Sequence, residues 1–291
     1  MTPQEKIITL KNMFSPCRLC ARECGAKRLS GEIGACGAGR EIKIASENLH
    51  FGEEPPISGE HGSGAIFFSF CSLDCCICQN YPISQMGNGR EITLKELVGC
   101  MLSLQKRGAH NINFVTPTHY SSFVAEAVYY ARQKGLNIPI VYNCGGYESA
   151  EVINLLNGFV DIYLPDAKYS DNRMAKKYSG IADYFEINKK VIKKMFEQAG
   201  NLVRDKNGIA KKGLIVRHLV LPNALENTEG VLKMLASISK EIFVSLMAQY
   251  HPAYKADDFK EINRRLTEEE YNRALELLDK YGLKNGWQQE M

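Results

Sequence analysis

Residues 62–84 read GSGAIFFSFCSLDCCICQNYPIS. The uninterrupted apolar run AIFFSF (65–70) has the character of a strand buried on both faces, and it leads directly into a cysteine-dense loop. Three and then two residues separate Cys71, Cys75 and Cys78. A loop with that spacing can wrap one corner of a cubane and offer one thiolate to each of three irons. The fourth iron then lacks a protein ligand, whereas electron-transfer clusters are normally closed by four cysteines. Structural zinc also wants four ligands. Cys76 is a poor fourth, because adjacent side chains point in different directions. The spacing therefore predicts a 4Fe–4S cluster with one iron open to a substrate or cofactor.

Outward from this loop, five further apolar runs follow: NINFVT (111–116), IPIVYN (138–143), VDIYLP (160–165), LIVRHLVL (214–221) and IFVSLMA (242–248). Helix-like segments lie between them, at 93–108, 120–135, 148–158, 182–200 and 226–240, and a last one follows at 267–282. Several end in glycine after a basic residue, a helix stop. Six strands alternating with helices predict an α/β fold with a parallel sheet and right-handed crossovers. Periodicity leaves an open doubly wound sheet and a barrel equally available. In both, ligands gather at the carboxyl ends of strands. Cys71, Thr116 to His119, Asn143, Asp166 with Lys168, and His251 all fall at or just beyond such ends.

Cys71-x3-Cys75-x2-Cys78 after the first strand resembles the radical S-adenosylmethionine superfamily. NFVTPTHY, YNCGGYES, DIYLPDAKYS, LIVRHLVLPN and SLMAQYHPA narrow the resemblance to an uncharacterised branch related to pyruvate formate-lyase activating enzymes. The resemblance implies a partial (β/α)6 TIM-like barrel in which S-adenosylmethionine binds the open iron and is cleaved to a 5′-deoxyadenosyl radical. Asp166 and Lys168 match an acidic-x-lysine element, Arg217 an arginine of the fifth strand, and His251 a histidine near the cofactor. Arginine and lysine suit a carboxylate, and Asn143 suits ribose hydroxyls. Ile77 replaces a usual aromatic, so packing against adenine would be aliphatic. Thr116, Pro117 and Thr118 stand where a Gly-Gly-Glu motif is usual, and are expected to meet the cofactor amino group. A flavodoxin- or ferredoxin-like electron donor is implied, with a protein, peptide or small-molecule substrate. A glycyl-radical partner is one version. A non-catalytic iron–sulfur carrier is the alternative from another class.

Upstream, CRLCARECGAKRLSGEIGACGAGR (17–40) carries Cys17, Cys20, Cys24 and Cys36. Four thiolates suit zinc or an auxiliary iron–sulfur cluster equally. So short and glycine-rich a segment gains from a metal staple. Residues 1–60 are read as this cysteine-rich module and 61–291 as the barrel with its C-terminal helix. REIKIASENLHF (40–51) has strand character, EEPPISGEHGSG (53–64) reads as a connection, and RDKNGIAKKG (204–213) as a hairpin excursion. Cys76, Cys100 and Cys144 read as small core residues.

The formal net charge of +3, from 36 basic and 33 acidic residues, points to neither nucleic acid nor membrane. KKVIKKMFEQAG is read as a solvated helix face. The first residues, MTPQEKIITLKNMF, lack a signal-peptide core, and no run reaches the roughly 20 apolar residues of a spanning helix. A cytoplasmic location is therefore expected, and in a reducing cytosol clustered thiols among the ten cysteines read as metal ligands rather than a disulfide framework.

Overall fold

The computed structural model describes residues 1–290. It opens with α1 (Pro3–Asn12), β1 (Ile42–His50), the single turn α2 (Pro55–Ser58) and β2 (Ser63–Phe68). The short α3 (Tyr81–Ser84) and β3 (Arg90–Ile92) follow the cysteine loop. A regular alternation then runs through α4 (Leu94–Lys106), β4 (Ile112–Val115), α5 (Ser121–Gln133), β5 (Ile140–Cys144), α6 (Ala150–Leu156) and β6 (Ile162–Pro165). It continues through α7 (Asn172–Ser179), α8 (Tyr184–Ala199), β7 (Val203–Arg204), β8 (Ala210–Leu219), α9 (Leu225–Ile238), β9 (Phe243–Met247), α10 (Glu268–Tyr281) and β10 (Gly286–Gln288).

The strands form one sheet in the order β10-β9-β8-β6-β5-β4-β2-β1-β3, with β7 beside β8. From β2 to β10 every neighbouring pair on that path is parallel. β1 and β3 extend it as antiparallel strands. All six expected parallel strands are present. β10 is a seventh that sequence reading did not find, because three residues, Gly-Trp-Gln, make no apolar run. The sheet is open, with β10 and β3 as its edges. It curves far enough for Trp287 of β10 and His50 of β1 to face one cavity. This is the partial barrel expected from the resemblance. β1 lies within residues 1–60 yet pairs with β2, so the sheet crosses residue 60.

Local chemistry explains the elements. Thr93 and Thr267 cap α4 and α10 reciprocally with Glu96 and Glu270, whose backbone N–H groups donate to the threonine hydroxyls at 3.2 Å in both boxes. Gly180 and Gly282 end α7 and α10 in left-handed conformations, each with φ of 68°. Leu97, Met101 and Leu104 of α4 and Val124 and Val128 of α5 pack with Ile66, Phe68, Ile112 and Phe114 in the largest core. The lysines of α8 at 189, 190 and 193 face solvent, as expected. β7 pairs antiparallel with β8, which makes RDKNGIAKKG a hairpin.

The expected connection at 53–64 is instead the floor of the barrel. Ile57 of α2 is fully buried and packs with Val141, Ile162, Ile215 and Phe243, one from each of four strands. Two prolines start the turn where their missing N–H groups cost nothing, and the single apolar residue that follows fills the barrel end. Pro and Gly density marks this segment only as a connection and gives no sign of the buried isoleucine.

Candidate active site

At the carboxyl ends of the parallel strands lies a cavity of about 390 Å³. Cys71, Cys75 and Cys78 line it, together with Ile77, Thr116, Asn143, Asp166, Lys168 and Arg217. Cys76 is absent from the wall. Its backbone is pinned between Tyr178 O (2.8 Å) and Lys255 N (2.9 Å), and its side chain packs with Tyr178 and Tyr250. The residue reading that separated Cys75 from Cys76 matches this geometry.

Each of the three cavity sulfurs has one hydrogen-bond partner. Leu73 N donates to Cys71 Sγ at 3.4 Å, Ser179 Oγ to Cys75 Sγ at 2.9 Å, and Ser84 Oγ lies 3.0 Å from Cys78 Sγ. Burial pushes the Cys71 thiol up and raises Cys75 to about 11, partly offset at Cys75 by the Lys168 cation. As metal thiolates they would carry negative charge, and one hydrogen-bond partner each plus a nearby ammonium suits that state. Cys144 also borders the cavity, but it sits in the main core rather than with the loop thiols, so Cys71, Cys75 and Cys78, packed together on one loop, fit a cluster with one open iron.

The PDAK loop is held from every side. Ala167 N donates to Arg217 O at 2.8 Å, and Asn188 Nδ2 to Asp166 O at 2.9 Å. Asn227 Nδ2 donates to Lys168 O at 2.9 Å. Buried His218 places Nδ1 2.6 Å from Ala167 O and Nε2 3.0 Å from Thr228 Oγ1. That pattern requires the Nδ1–H tautomer with Nε2 accepting. Gly146 completes the fit: a Cβ there would lie 2.2 Å from Asp166 O. Lys168 Nζ bonds Asp166 Oδ2 at 2.6 Å. Burial alone would depress the Lys168 ammonium, but Asp166 and the Cys75 sulfur hold it well above its ordinary value.

Two residues that sequence reading missed dominate the cavity floor. Arg217 Nε and Nη2 bond both oxygens of Glu54, at 2.6 and 2.7 Å, and Nη2 also bonds Glu53. Glu53 accepts in addition from Asn113 Nδ2 at 2.8 Å. Only Nη1 turns to Asn143, 3.4 Å away. Burial works against the ionised Glu54, yet Arg217 holds its carboxyl below the usual range. The resemblance gave Arg217 to a cofactor carboxylate, but most of its donors are already engaged by protein. Glu53 and Glu54 lie in a segment that reads only as a connection. A lone apolar residue after them, Ile57, was the signal that the segment enters the barrel.

Three expected cofactor contacts lie off the wall. Pro117 is buried beside it. Thr118 Oγ1 donates to Glu148 Oε1 at 2.8 Å, away from the cavity. His251 is exposed, 3.3 Å from Gln79 Nε2 through Nδ1, and reaches the cavity only by way of Gln79. Buried His119 places Nε2 2.8 Å from Ser69 O, and burial together with the nearby Arg28 lowers it to about 3. Thr116 stays on the wall in a left-handed conformation, φ 58°. Trp287, the one tryptophan of the chain, closes the far side.

Among the described residues, no three His, Cys, Asp or Glu side chains close tightly enough around one point to hold a bare ion. No helix among them is long and apolar enough to cross a membrane. No family model matches the chain.

An open parallel barrel with a three-cysteine loop after its first strand is the fold that the resemblance to the radical S-adenosylmethionine superfamily implies. HydG, a maturase of the FeFe hydrogenase, shares that fold at a TM-score of 0.50 and 12% identity, over 75% of this chain and 48% of its own. A domain of pyruvate-formate lyase-activating enzyme from Bacteroides vulgatus aligns at 0.42 and 14% identity, over 59% of this chain and 92% of its own. Streptococcus suis SuiB bound to S-adenosylmethionine aligns at 0.49 and 12% identity, over 76% of this chain and 45% of its own. The chain belongs to the family of the uncharacterized protein MJ0674 of Methanocaldococcus jannaschii, with which it is 34% identical over 288 residues, 96% of this chain and 78% of that protein.

Proposed function

We propose that this protein is a radical S-adenosylmethionine enzyme that abstracts hydrogen from a substrate bound in the open barrel. The observation that carries the reading is the convergence of Cys71, Cys75 and Cys78 with Asp166, Lys168 and Asn143 on one cavity at the strand ends. A 4Fe–4S cluster with bound S-adenosylmethionine would supply one-electron cleavage of the sulfonium to a 5′-deoxyadenosyl radical. The chain's own residues bind, orient and shield. Cys71, Cys75 and Cys78 would hold the cluster. Lys168, fixed by Asp166, offers a cation to a carboxylate, and Asn143 offers an amide to hydroxyl groups. Ile77 and Leu219 give the cavity apolar wall that keeps water from a reactive centre. The electron would come from a flavodoxin- or ferredoxin-like donor.

Within this class we favour a glycine on a partner enzyme as the hydrogen source. The support is the resemblance of the motifs from the cysteine loop to SLMAQYHPA to a branch related to pyruvate formate-lyase activating enzymes. The primary test is anaerobic: reconstitute with iron and sulfide, reduce, add S-adenosylmethionine and assay 5′-deoxyadenosine. Product is expected, and it should vanish in the Cys71/Cys75/Cys78→Ala variant. A well-formed cluster that binds the cofactor without cleaving it, whatever the partner supplied, would favour an electron carrier. A glycyl radical signal on a co-incubated partner tests the finer reading.

A further inference from the structure

Arg28 poses a problem of charge that the site above does not solve. Its side chain is wholly buried, and among the described residues no carboxylate pairs with it. Nε donates to Gly39 O at 2.8 Å and Nη1 to His119 O at 2.6 Å, while Nη2 has no partner at all. The guanidinium lies over the Phe14 ring, 4.0 Å from its centroid. A buried cation without a counter-ion is strongly disfavoured, and arginine does not escape by losing its proton. The structure must therefore bring negative charge close to it.

The N-terminal cysteines are the groups able to do so. Cys17 Sγ lies 4.0 Å from Arg28 Nη1. Cys24 lies close enough to Cys17 for the two thiols to act on one another. The sulfurs of Cys36 and Cys24 stand 3.4 and 3.7 Å from where a Cβ on Gly34 would be, so both crowd one glycine. Cys20 is close enough to feel the charges of Cys36 and Cys17. The backbone amides of Arg22, Ala26 and Ala38, two residues further on, lie near the sulfurs of Cys20, Cys24 and Cys36. Four neutral thiols would leave Arg28 uncompensated. Four thiolates on an oxidised cubane, which spans sulfurs too far apart to meet on a bare ion, carry a net charge of about −2, as do four thiolates whose side chains turn inward onto a divalent ion.

We propose that Cys17, Cys20, Cys24 and Cys36 hold a second, anionic metal–thiolate centre whose buried counter-cation is Arg28. The centre is separate from the cavity cluster but braces it. Arg22 Nε donates to Ser72 O at 2.5 Å, inside the Cys71 loop. Gly37 lies flat against Phe70, the residue before Cys71, and a Cβ there would come within 2.7 Å of the ring. His119 carries the same contact further, linking Arg28 Nη1 through its carbonyl to Ser69 O through its ring.

The test uses the full chain with Cys71, Cys75 and Cys78 replaced by alanine, purified anaerobically from medium supplied with iron and zinc. About one zinc, or about four irons with matching sulfide, should remain per chain. That metal should be lost when Cys20→Ser and Cys36→Ser are added. Zinc and iron–sulfide are distinguished by the element found, and either supports the proposal. Arg28→Gln should release the metal to a chelator at least about 10-fold faster, while Arg28→Lys, which keeps the charge, should fall between. A folded triple variant that carries no stoichiometric metal, its N-terminal thiols reacting freely with a thiol reagent, would overturn it. Should that variant fail to fold, the unaltered protein decides: only about four irons and no zinc after reconstitution also overturns the proposal. None of these outcomes depends on whether the protein cleaves S-adenosylmethionine.

Discussion

His218 reaches the PDAK loop from below and is buried neutral; burial lowers it to about 4, partly resisted by the Ala167 carbonyl. An unfolded histidine titrates near 6.5, so below that pH the unfolded chain binds a proton that the native one refuses. The native state is then at full strength above about pH 6.5 and loses roughly 3 kcal/mol as pH falls toward 4 through this side chain. His218→Gln should flatten that part of the profile in urea unfolding between pH 7 and pH 4, and an unchanged slope would contradict it. Glu54 acts in the same direction over a lower window. Its depressed carboxyl stabilises above the ordinary carboxylate value and stops doing so as pH falls through the folded one. Removing it strands a buried guanidinium on which Glu53 keeps only partial hold, so Glu54→Gln should cost roughly 3 kcal/mol at neutral pH. The cavity cysteines were legible because thiol spacing is a sequence property. Glu53, Glu54 and His218 were not, since their meaning depends on partners the fold brings from elsewhere in the chain, 163 residues apart for Glu54 and Arg217 and 51 for His218 and Ala167.

The parallel strands were legible as elements because burial on both faces leaves no alternation, only apolar runs. What sequence reading could not weigh was a single turn. α2 has too few residues to show a helical period, yet Ile57 fills the barrel end against four strands. Ile57→Ala should leave a cavity there and cost about 2–5 kcal/mol, seen as a fall in the thermal midpoint. A loss below roughly 0.5 kcal/mol, the level of an ordinary surface substitution, would mean the turn is not a packed floor. β7 and β10 show the other limit. Two or three residues pair because a neighbouring edge is already in place, not through propensity of their own.

Across the whole molecule, the sheet's two ends approach one another around the cavity without joining. Trp287 stands on the last strand and His50 on an early one, both facing the same space. Since Trp287 is the only tryptophan, its emission reports on that space alone. Adding S-adenosylmethionine to the reconstituted protein should change the emission. Trp287→Phe should abolish the signal and leave the iron content unaltered. An emission blind to the cofactor would place the binding region away from this wall. The open form was expected from the resemblance, while the C-terminal closure was not, because the last strand carries no pattern of its own.

The floor of the barrel also imposes an order on synthesis. Ile57 leaves the ribosome early, but its socket is complete only once Phe243 has followed, roughly 190 residues later and some 10–40 s at ordinary elongation rates. Until then the nascent chain carries an apolar turn, two glutamates and a set of thiols with nothing to close on. The N-terminal segment is thus the part of this protein that waits longest for its partners, and the stage at which a chaperone or an early metal would matter most.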